Sequence, residues 1–445
     1  MEQRKHTAAI LGGGSFGTAT ASILAENGHR TRLWVRDPET AAAINEDGEN
    51  PRYLPGQTLP EGVHATEHLD EVLDGADLIF VAVPSSAFVE VLRQARPMVK
   101  DGTLVVSCTK GIHEDGFLLM SQLLKREWDH TRIGVLSGPN LAREIVERKF
   151  TGSVIASPDE ALCHTIQQAL SCEYFRVYDN PDIYGVELGG ALKNIYAVAS
   201  GMAAAIDIGE NSRSFMLTRA LAEMSRFAVE LGANPLTFLG LSGVGDLIAT
   251  CSSSLSRNYR LGYQLGQGQE LQQALDTLGQ TAEGLNTIRL VATHAEKLNV
   301  YMPLATALYE IIYQGKPLET MIARLMSGEH KHDVEFSFHR RRAPAHRTRA
   351  PGSDGPVAEI ARGGGDRGPP DRQPLPARPA NRAVHRPCLR RHGSGGVRVS
   401  GAGSGAGSVS RLADRAAVLR EPGAGQPHAA GVAAERRMGR RAALP

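Results

Sequence analysis

The sequence predicts an α/β protein in three parts. A doubly wound, mainly parallel sheet fills the N-terminal half, an all-α domain follows, and a disordered tail ends the chain. Three observations carry that prediction. Short, continuously apolar runs alternate with helical patterns up to about residue 180, and unbroken apolar strands are those covered on both faces in parallel sheets. From Tyr184 to about Ser327 only helical periodicity remains. From about His339 the chain loses Lys, Phe, Tyr and Trp and becomes rich in Arg, Gly, Ala and Pro, a composition that cannot bury a core. The 445 residues suit about three domains at roughly 150 residues each. The expected divisions are 1–181, 182–337 and 338–445.

The first strand is Thr7-Ala-Ala-Ile-Leu11, ended by Gly12-Gly-Gly14-Ser15-Phe16-Gly17. A helical pattern runs from Thr18 to about Asn27, Gly28 stops it, and Thr31 to Val35 reads as the second strand. A Gly-x-Gly-x-x-Gly turn between a strand and a helix is the Rossmann-like context for dinucleotide binding. Gly12 allows the tight turn, Gly14 lets a pyrophosphate approach the backbone, and Gly17 lets helix and strand pack closely. The helix N-terminus then offers free N–H groups to phosphate. A glycine-rich turn without a nucleotide is the plainer alternative, and the flanking strand and helix argue against it. After the second strand come Arg36 and Asp37. An acid there would bind the ribose 2′-hydroxyl of NAD, whereas Arg36 suits the 2′-phosphate of NADP. NADPH/NADP is the expected cofactor, and Asp37 keeps NADH/NAD open.

Further strands are expected at Val63–Thr66, Asp77–Val83, Thr103–Cys108 and Arg132–Leu136, with outer ones at Val154–Ala156 and Tyr174–Tyr178. Pro84-Ser85-Ser86, Thr109-Lys110-Gly111 and Ser137-Gly138-Pro139-Asn140 follow three of them. Ligands of open α/β sheets bind beyond the carboxyl ends of strands. Lys110 is an ordinary loop lysine or a ligand-facing one, and its place after a core strand favours the second.

In the helical half, Glu187 to Gly201 is apolar nearly all round, with Lys193 in its middle. Such a helix is usually buried, and a buried lysine is rare unless paired. Two readings stay open: Lys193 snorkels to the surface, or desolvation lowers its pKa toward proton exchange at neutral pH. Gly240 to Cys251 reads as a glycine-rich loop leading into a helix, where Asp246 is either an N-cap or a partner for a lysine. Ser256-Arg257-Asn258 ahead of a helix is either a cap with a surface arginine or a clamp for phosphate or carboxylate. Glu283, after Gln280-Thr281-Ala282, either starts a helix or meets a cofactor hydroxyl or amide.

Taken in order, these pieces resemble the bacterial NAD(P)-dependent sn-glycerol-3-phosphate dehydrogenase family. The resemblance runs from about Thr7 to about Phe336. It rests on Gly12-Gly-Gly-Ser-Phe-Gly-Thr-Ala19, Ala82-Val-Pro-Ser85, Cys108-Thr-Lys-Gly111, Leu136-Ser-Gly-Pro139, Gly189-Gly-Ala-Leu-Lys-Asn194, Gly243-Val-Gly-Asp-Leu247, Ser256-Arg-Asn258 and Glu283-Gly284. It implies interconversion of dihydroxyacetone phosphate and sn-glycerol 3-phosphate by hydride transfer, supplying the glycerophospholipid backbone. It implies Lys193 as general acid/base, with Lys110 and Asp246 holding that lysine and the reacting oxygen. Gly138, Asn140, Ser256, Arg257 and Asn258 would line the substrate site. Ser15, Phe16, Arg36, Lys110, Ala142, Arg257, Thr281 and Glu283 would touch the cofactor. Asn140 stands where the family commonly has Ser or Thr, and Thr281-Ala282 where Val-Val is common, which puts fine contacts in question rather than the reaction. A homodimer through the helical domain is also implied.

Two other functions are weighed against it. Another hydroxyacid-type dehydrogenase of this architecture fits less well with Gly243-Val-Gly-Asp246 and Ser256-Arg-Asn258. A non-catalytic NADPH sensor has no use for Lys110, Lys193, Asp246 and Arg257 together.

Charge and cysteine use bound the partners. The net charge of +1 hides 21 Arg against 7 acidic residues from Arg340 onward, leaving 28 basic and 41 acidic residues before it. No nucleic-acid partner is expected for the acidic body. The tail is either a basic arm or a GC-rich gene read past its usual stop or in a shifted frame, which better explains the loss of Lys, Phe and Tyr. Five cysteines without a CxxC pair suit a reducing cytoplasm. No run of ~18 apolar residues spans a membrane, no signal peptide is expected, and no metal site is expected.

Overall fold

The computed structural model describes residues 4–279, 283–327 and 333. The expected tail therefore lies outside the described residues, as do Thr281 and Ala282. The strands in chain order are β1 (Thr7–Leu11), β2 (Arg30–Trp34), β3 (Val63–Thr66), β4 (Leu78–Val81), β5 (Leu104–Ser107), β6 (Ile112–His113), β7 (Leu118–Leu119), β8 (Arg132–Ser137), β9 (Thr151–Ala156) and β10 (Phe175–Asn180). Eight of them form one sheet in the order β10-β9-β8-β5-β4-β1-β2-β3, while β6 and β7 pair as a small hairpin. The strand order reverses at β1, between β2 and β4, so the ends of β1 and β4 open a crevice there. Pairing is parallel except between β8 and β9, where Val135 faces Ala156. Only the five-residue helix α6 (Ala142–Val146) lies between those two strands, too short to carry the chain back across the sheet for a parallel return.

Helices α1 (Ser15–Glu26), α2 (Pro38–Glu46), α3 (Leu69–Leu73), α4 (Phe88–Ala95), α5 (Met120–Glu127) and α7 (Glu160–Leu170) complete this lobe. Strand alternation divides its core in two. Ile10, Phe80 and Val106 pack with Ile23 and Leu24 of α1 and Leu162 of α7. Leu11, Ile79 and Val105 pack with Phe88 of α4 and Leu124 and Trp128 around α5. Helix α1 starts at Ser15, three residues before the sequence pattern suggested, because Gly14 takes the cap position and Ser15, Phe16 and Gly17 already belong to the first turn.

The second lobe is built on α8 (Ile183–Ala205), whose residues Gly185 to Ala203 are all buried. Around it lie α9 (Glu210–Glu230), α10 (Asp246–Ser252), α11 (Arg257–Gly266), α12 (Leu271–Leu278), α13 (Glu283–Leu298), α14 (Pro303–Gln314) and α15 (Leu318–Met326). Helix α11 lies closest to α8, since a Cβ on Gly262 would stand 1.9 Å from the Val198 carbonyl oxygen. The segment Leu241–Gly245, expected as loop, is a single π-helical turn that runs into α10.

Two buried glutamates tie elements together. Glu187 of α8 accepts from the Ser121 amide at 2.9 Å and the Ser121 hydroxyl at 2.5 Å, at the start of α5. Glu223 of α9 accepts from the Leu304 and Ala305 amides at 2.7 and 3.3 Å, at the start of α14. Each carboxylate meets the free N–H groups that a helix N-terminus leaves. Burial pushes both carboxyls up to about 7.

The β6–β7 hairpin was not foreseen in the sequence. Its two strands are only two residues each, below any periodic signal. Phe117 in its turn has φ +55, a left-handed conformation costing a side-chain-bearing residue about 1–2 kcal/mol. Its ring stacks on His294 of α13 at 4.2 Å and meets Phe227 of α9 edge-on at 5.8 Å. Among the described residues, no helix is long and apolar enough to cross a membrane.

Candidate active site

The lysine in the buried helix does not snorkel. Lys193 is 6 % exposed and Asp246 is 1 % exposed. Lys193 Nζ donates to Asp246 Oδ1 and to Thr250 Oγ1 at 2.6 Å. Lys110 Nζ donates to the other oxygen, Asp246 Oδ2, at 2.8 Å, and to the Gly138 carbonyl at 3.0 Å. Asp246 is the first residue of α10, where Gly245 occupies the cap position, so its carboxylate is free for the two lysines. Lys193 is pulled down to about 8, chiefly by burial; Lys110 adds to the fall and Asp246 opposes it.

Lys110 follows β5 and Gly138 follows β8, at neighbouring carboxyl ends of the sheet. Gly138 has φ +130, and a Cβ on it would crowd the Gly152 carbonyl at 3.2 Å. Asn140 comes two residues later. Ser153 Oγ donates to the Ser137 carbonyl at 2.9 Å, so it accepts from Asn140 Nδ2 at 3.1 Å. The amide is thereby oriented, and Asn140 Oδ1 has no partner among the described residues.

Across the same cleft lies the glycine turn. Gly12 has φ +119, and a Cβ on it would stand 2.7 Å from the Ala82 carbonyl. A Cβ on Gly17 would stand 1.9 Å from the Gly12 carbonyl, whereas nothing lies within 4 Å of one on Gly14. Gly12 and Gly17 serve chain packing, and Gly14 leaves open space above the turn. Its helix carries no side-chain cap. Arg36 lies on the rim, while Asp37 accepts from the Glu39 amide at 3.3 Å and the Thr40 hydroxyl at 2.6 Å as the cap of α2.

The third wall comes from the helical lobe. Ser256 caps α11 by accepting from the Tyr259 amide at 3.3 Å. Asn258 Oδ1 accepts from the Gly284 amide at 3.0 Å and ties α11 to α13. Arg257 is exposed to the cleft. Glu283 accepts from the Ser85 amide at 3.0 Å and the Ser85 hydroxyl at 2.6 Å, bridging the two lobes.

One cleft of about 1190 Å³ gathers Gly12, Gly14, Ser15, Phe16, Arg36, Lys110, Asn140, Ala142, Lys193, Ser256, Arg257, Asn258 and Glu283. Gly17, Gly138 and Asp246 stand behind its wall, the last two reaching it through Lys110 and Lys193. Thr281 lies outside the described residues.

The sequence profile of the NAD-dependent glycerol-3-phosphate dehydrogenase N-terminus matches residues 7–163, and that of the C-terminus matches residues 182–323. The chain belongs to this family. A glycerol-3-phosphate dehydrogenase [NAD(P)+] of Alcanivorax borkumensis is 75% identical over 338 residues, 76% of this chain and 98% of that protein. Its counterpart in Azotobacter vinelandii is 55% identical over 328 residues, 74% of this chain and 96% of that protein. The crystal structure of glycerol-3-phosphate dehydrogenase from Coxiella burnetii superposes with a TM-score of 0.70 at 35% identity, covering 73% of this chain and 99% of that one.

The dinucleotide that the family uses fits the residues present. The open space over Gly14 and the uncapped start of α1 suit a pyrophosphate. A loop with no sequence pattern of its own completes this wall of the cleft. Asn50 Nδ2 donates to the Gly13 carbonyl at 3.0 Å, and Ser15 Oγ donates to the Tyr53 carbonyl at 3.1 Å. These bonds bring Arg52 and Tyr53 to the cleft wall near Arg36. Thr250 was also missed. Its place one turn after Asp246, on the same helix face, was the available signal. Among the described residues, no group of three or more His, Cys, Asp or Glu side chains is placed to hold a metal.

Proposed function

We propose that this chain interconverts dihydroxyacetone phosphate and sn-glycerol 3-phosphate, with Lys193 as its general acid/base. The single observation that carries the roles is the buried lysine pair on Asp246, in the cleft that the glycine turn also lines. The bound nicotinamide dinucleotide supplies the hydride for ketone reduction and takes it back in the reverse direction. Lys193, as ammonium, donates its proton to the carbonyl oxygen as charge develops there. Its pKa near 8 lets it reload near neutral pH. Lys110 keeps that pKa low and adds a second positive charge beside the forming alkoxide. Asp246 holds both ammonium groups in place, and Thr250 fixes the direction of the Lys193 side chain.

Ser256, Arg257 and Asn258 bind the substrate phosphate. Arg257 makes no hydrogen bond or ion pair with another described residue, which supports an anion as its partner. Binding energy at the phosphate orients the carbonyl toward Lys193. Asn140 offers its free Oδ1 to a ligand donor. Arg36 and Arg52, with Asp37 already engaged in the α2 cap, favour NADP over NAD.

Cys108, Cys163, Cys172 and Cys251 are all free thiols, which supports a cytoplasmic setting. Phe150, Leu236 and Leu239, 92, 68 and 67 % exposed, support a homodimer that covers them. The test is oxidation of NADPH or NADH with dihydroxyacetone phosphate by wild type and Lys193→Met. Wild type should turn over, and the variant should bind NADPH with little change yet lose turnover. A variant within a few fold of wild type would sink the assignment of Lys193.

A further inference from the structure

We propose that the β6–β7 hairpin is a positioning element that couples Lys110 to the helical core, with Phe117 as its lock. The inference rests on the functional reading above only for the meaning of Lys110. Ile112 and Leu119 come from the sheet lobe in sequence, yet both are buried in the core of the helical lobe with Leu192 and Ile195 of α8. Phe117 lies between His294 and Phe227. Asn286 of α13 donates to the Ile112 carbonyl at 3.4 Å, and Arg289 pairs with Glu114 at 2.7 Å.

Lys110 sits two residues before this anchor and one residue after another. Thr109 Oγ1 donates to the Val83 carbonyl at 2.7 Å, which holds the chain to the sheet. Between them Gly111 has no room for a side chain, since a Cβ would lie 2.7 Å from that of Ser85. The backbone at Lys110 is therefore fixed on one side by the sheet and on the other by the helices. Its ammonium spans the same divide, from the Gly138 carbonyl to Asp246.

The left-handed φ of Phe117 is what points to its ring. Glycine would take that conformation without strain. A phenylalanine there is tolerated because its stack on α13 and α9 holds the turn. Loosening the hairpin frees Lys110 from Asp246. Among the described residues, the titratable and charged groups that face Lys193 are Asp246 and Cys251 from α10 and Lys110 from the segment after β5. Losing the repulsion of Lys110 raises the Lys193 pKa.

The experiment compares wild type, Phe117→Leu, His294→Phe and Leu308→Ala. Leu308 is buried on α14 in the same core, on an element other than the hairpin, and serves as the control for lost stability. Two readouts are used. One is the titration of the Lys193 Nζ signal by NMR in ¹⁵N-lysine-labelled protein, assigned through Lys193→Met. The other is kcat for ketone reduction, beside the Kd for NADPH. In Phe117→Leu the Lys193 pKa should rise by about half a unit or more and kcat should fall about tenfold, with NADPH affinity within about twofold. His294→Phe keeps a stacked ring and should match wild type. Leu308→Ala should lose thermal stability with both readouts unchanged. The proposal is overturned if Phe117→Leu titrates and turns over like wild type, or if Leu308→Ala shifts both readouts equally. Absence of wild-type turnover would instead sink the functional reading, and the titration would still decide on the hairpin.

Discussion

Lys110 and Lys193 hold opposite oxygens of the same buried carboxylate. Asp246 Oδ2 accepts from Lys110 at 2.8 Å, and Oδ1 accepts from Lys193. Two cations on one anion leave a surplus positive charge in a site with little water to screen it. That surplus is what a forming alkoxide needs. It also makes the site depend on the anion. Asp246→Asn keeps the shape but leaves two ammonium groups without a counter-charge, and such groups lose a proton rather than stay buried and charged. Reduction by this variant should fall on the order of 10²-fold or more. Steady-state assays at pH 7 with saturating cofactor check this, and a loss under about fivefold would speak against the shared-carboxylate role.

The pH dependence follows from the Lys193 pKa of about 8, lowered first by burial. In the role proposed for it Lys193 donates as the ammonium, so kcat for reduction should be level below that pH and fall toward tenfold per unit above it. Alcohol oxidation uses the neutral amine and should rise over the same interval. Opposite profiles in the two directions would be the signature of one group serving both. A reduction profile flat from pH 7 to 9.5 would rule Lys193 out as the proton donor.

Cofactor choice turns on Asp37. Its carboxyl is held below the usual range by the Thr40 hydroxyl that it accepts from as the cap of α2, so it is poorly free to receive a ribose hydroxyl. Arg52 acts on Asp37 only through its charge, neither Arg36 nor Arg52 makes an ion pair with an acidic side chain among the described residues, and a 2′-phosphate would satisfy both. Arg36→Ala and Arg52→Ala should each weaken NADPH binding by about tenfold while NADH binding changes by under about threefold. Fluorescence titration of both cofactors at two salt concentrations checks this. An equal loss for NADPH and NADH would move these arginines from the 2′-phosphate to the shared pyrophosphate.

The fold was largely legible in the sequence because strands and long helices announce themselves. Runs such as Leu78 to Val81 are apolar on both faces, and α8 is apolar all round, so burial could be inferred without contacts. The glycine turn was legible because its chemistry is local. What escaped was whatever depends on chain segments meeting. Thr250 looked like one helix threonine among several until Lys193 was placed against it. Asn50 and Arg52 lie in a loop with no period, and hydrogen bonds from Asn50 to the Gly13 carbonyl and from Ser15 to the Tyr53 carbonyl bring them to the site. The two-residue strands of the hairpin are too short for alternation to show. In the sequence Asp246 reads as either cap or partner, and the lysine bonds to it, with Gly245 in the cap position, decide for partner.

Glu187 offers a test of how the two lobes are joined. Its carboxyl is buried on α8 and bound to Ser121 at the start of α5, and burial raises its pKa to about 7. In the unfolded chain it ionises near 4.5. The folded state therefore holds the proton over the interval between those values, and the unfolded state does not. The stability this contributes is complete below about pH 4.5 and is lost as pH rises through about 7. Glu187→Gln removes the titration while keeping an acceptor for the Ser121 amide. The melting temperature of the variant minus that of wild type should accordingly become more positive from pH 5 to 8.5, by an amount on the order of 2 kcal/mol in stability. Glu223, raised to about 7 at the start of α14, provides the comparison within the helical lobe, and Glu223→Gln should show the same slope. Thermal unfolding across that pH range checks both. Differences that stay constant with pH would mean that these carboxyls ionise in the folded protein as they do in water. Helix α5 would then be held to α8 by a permanently charged cap.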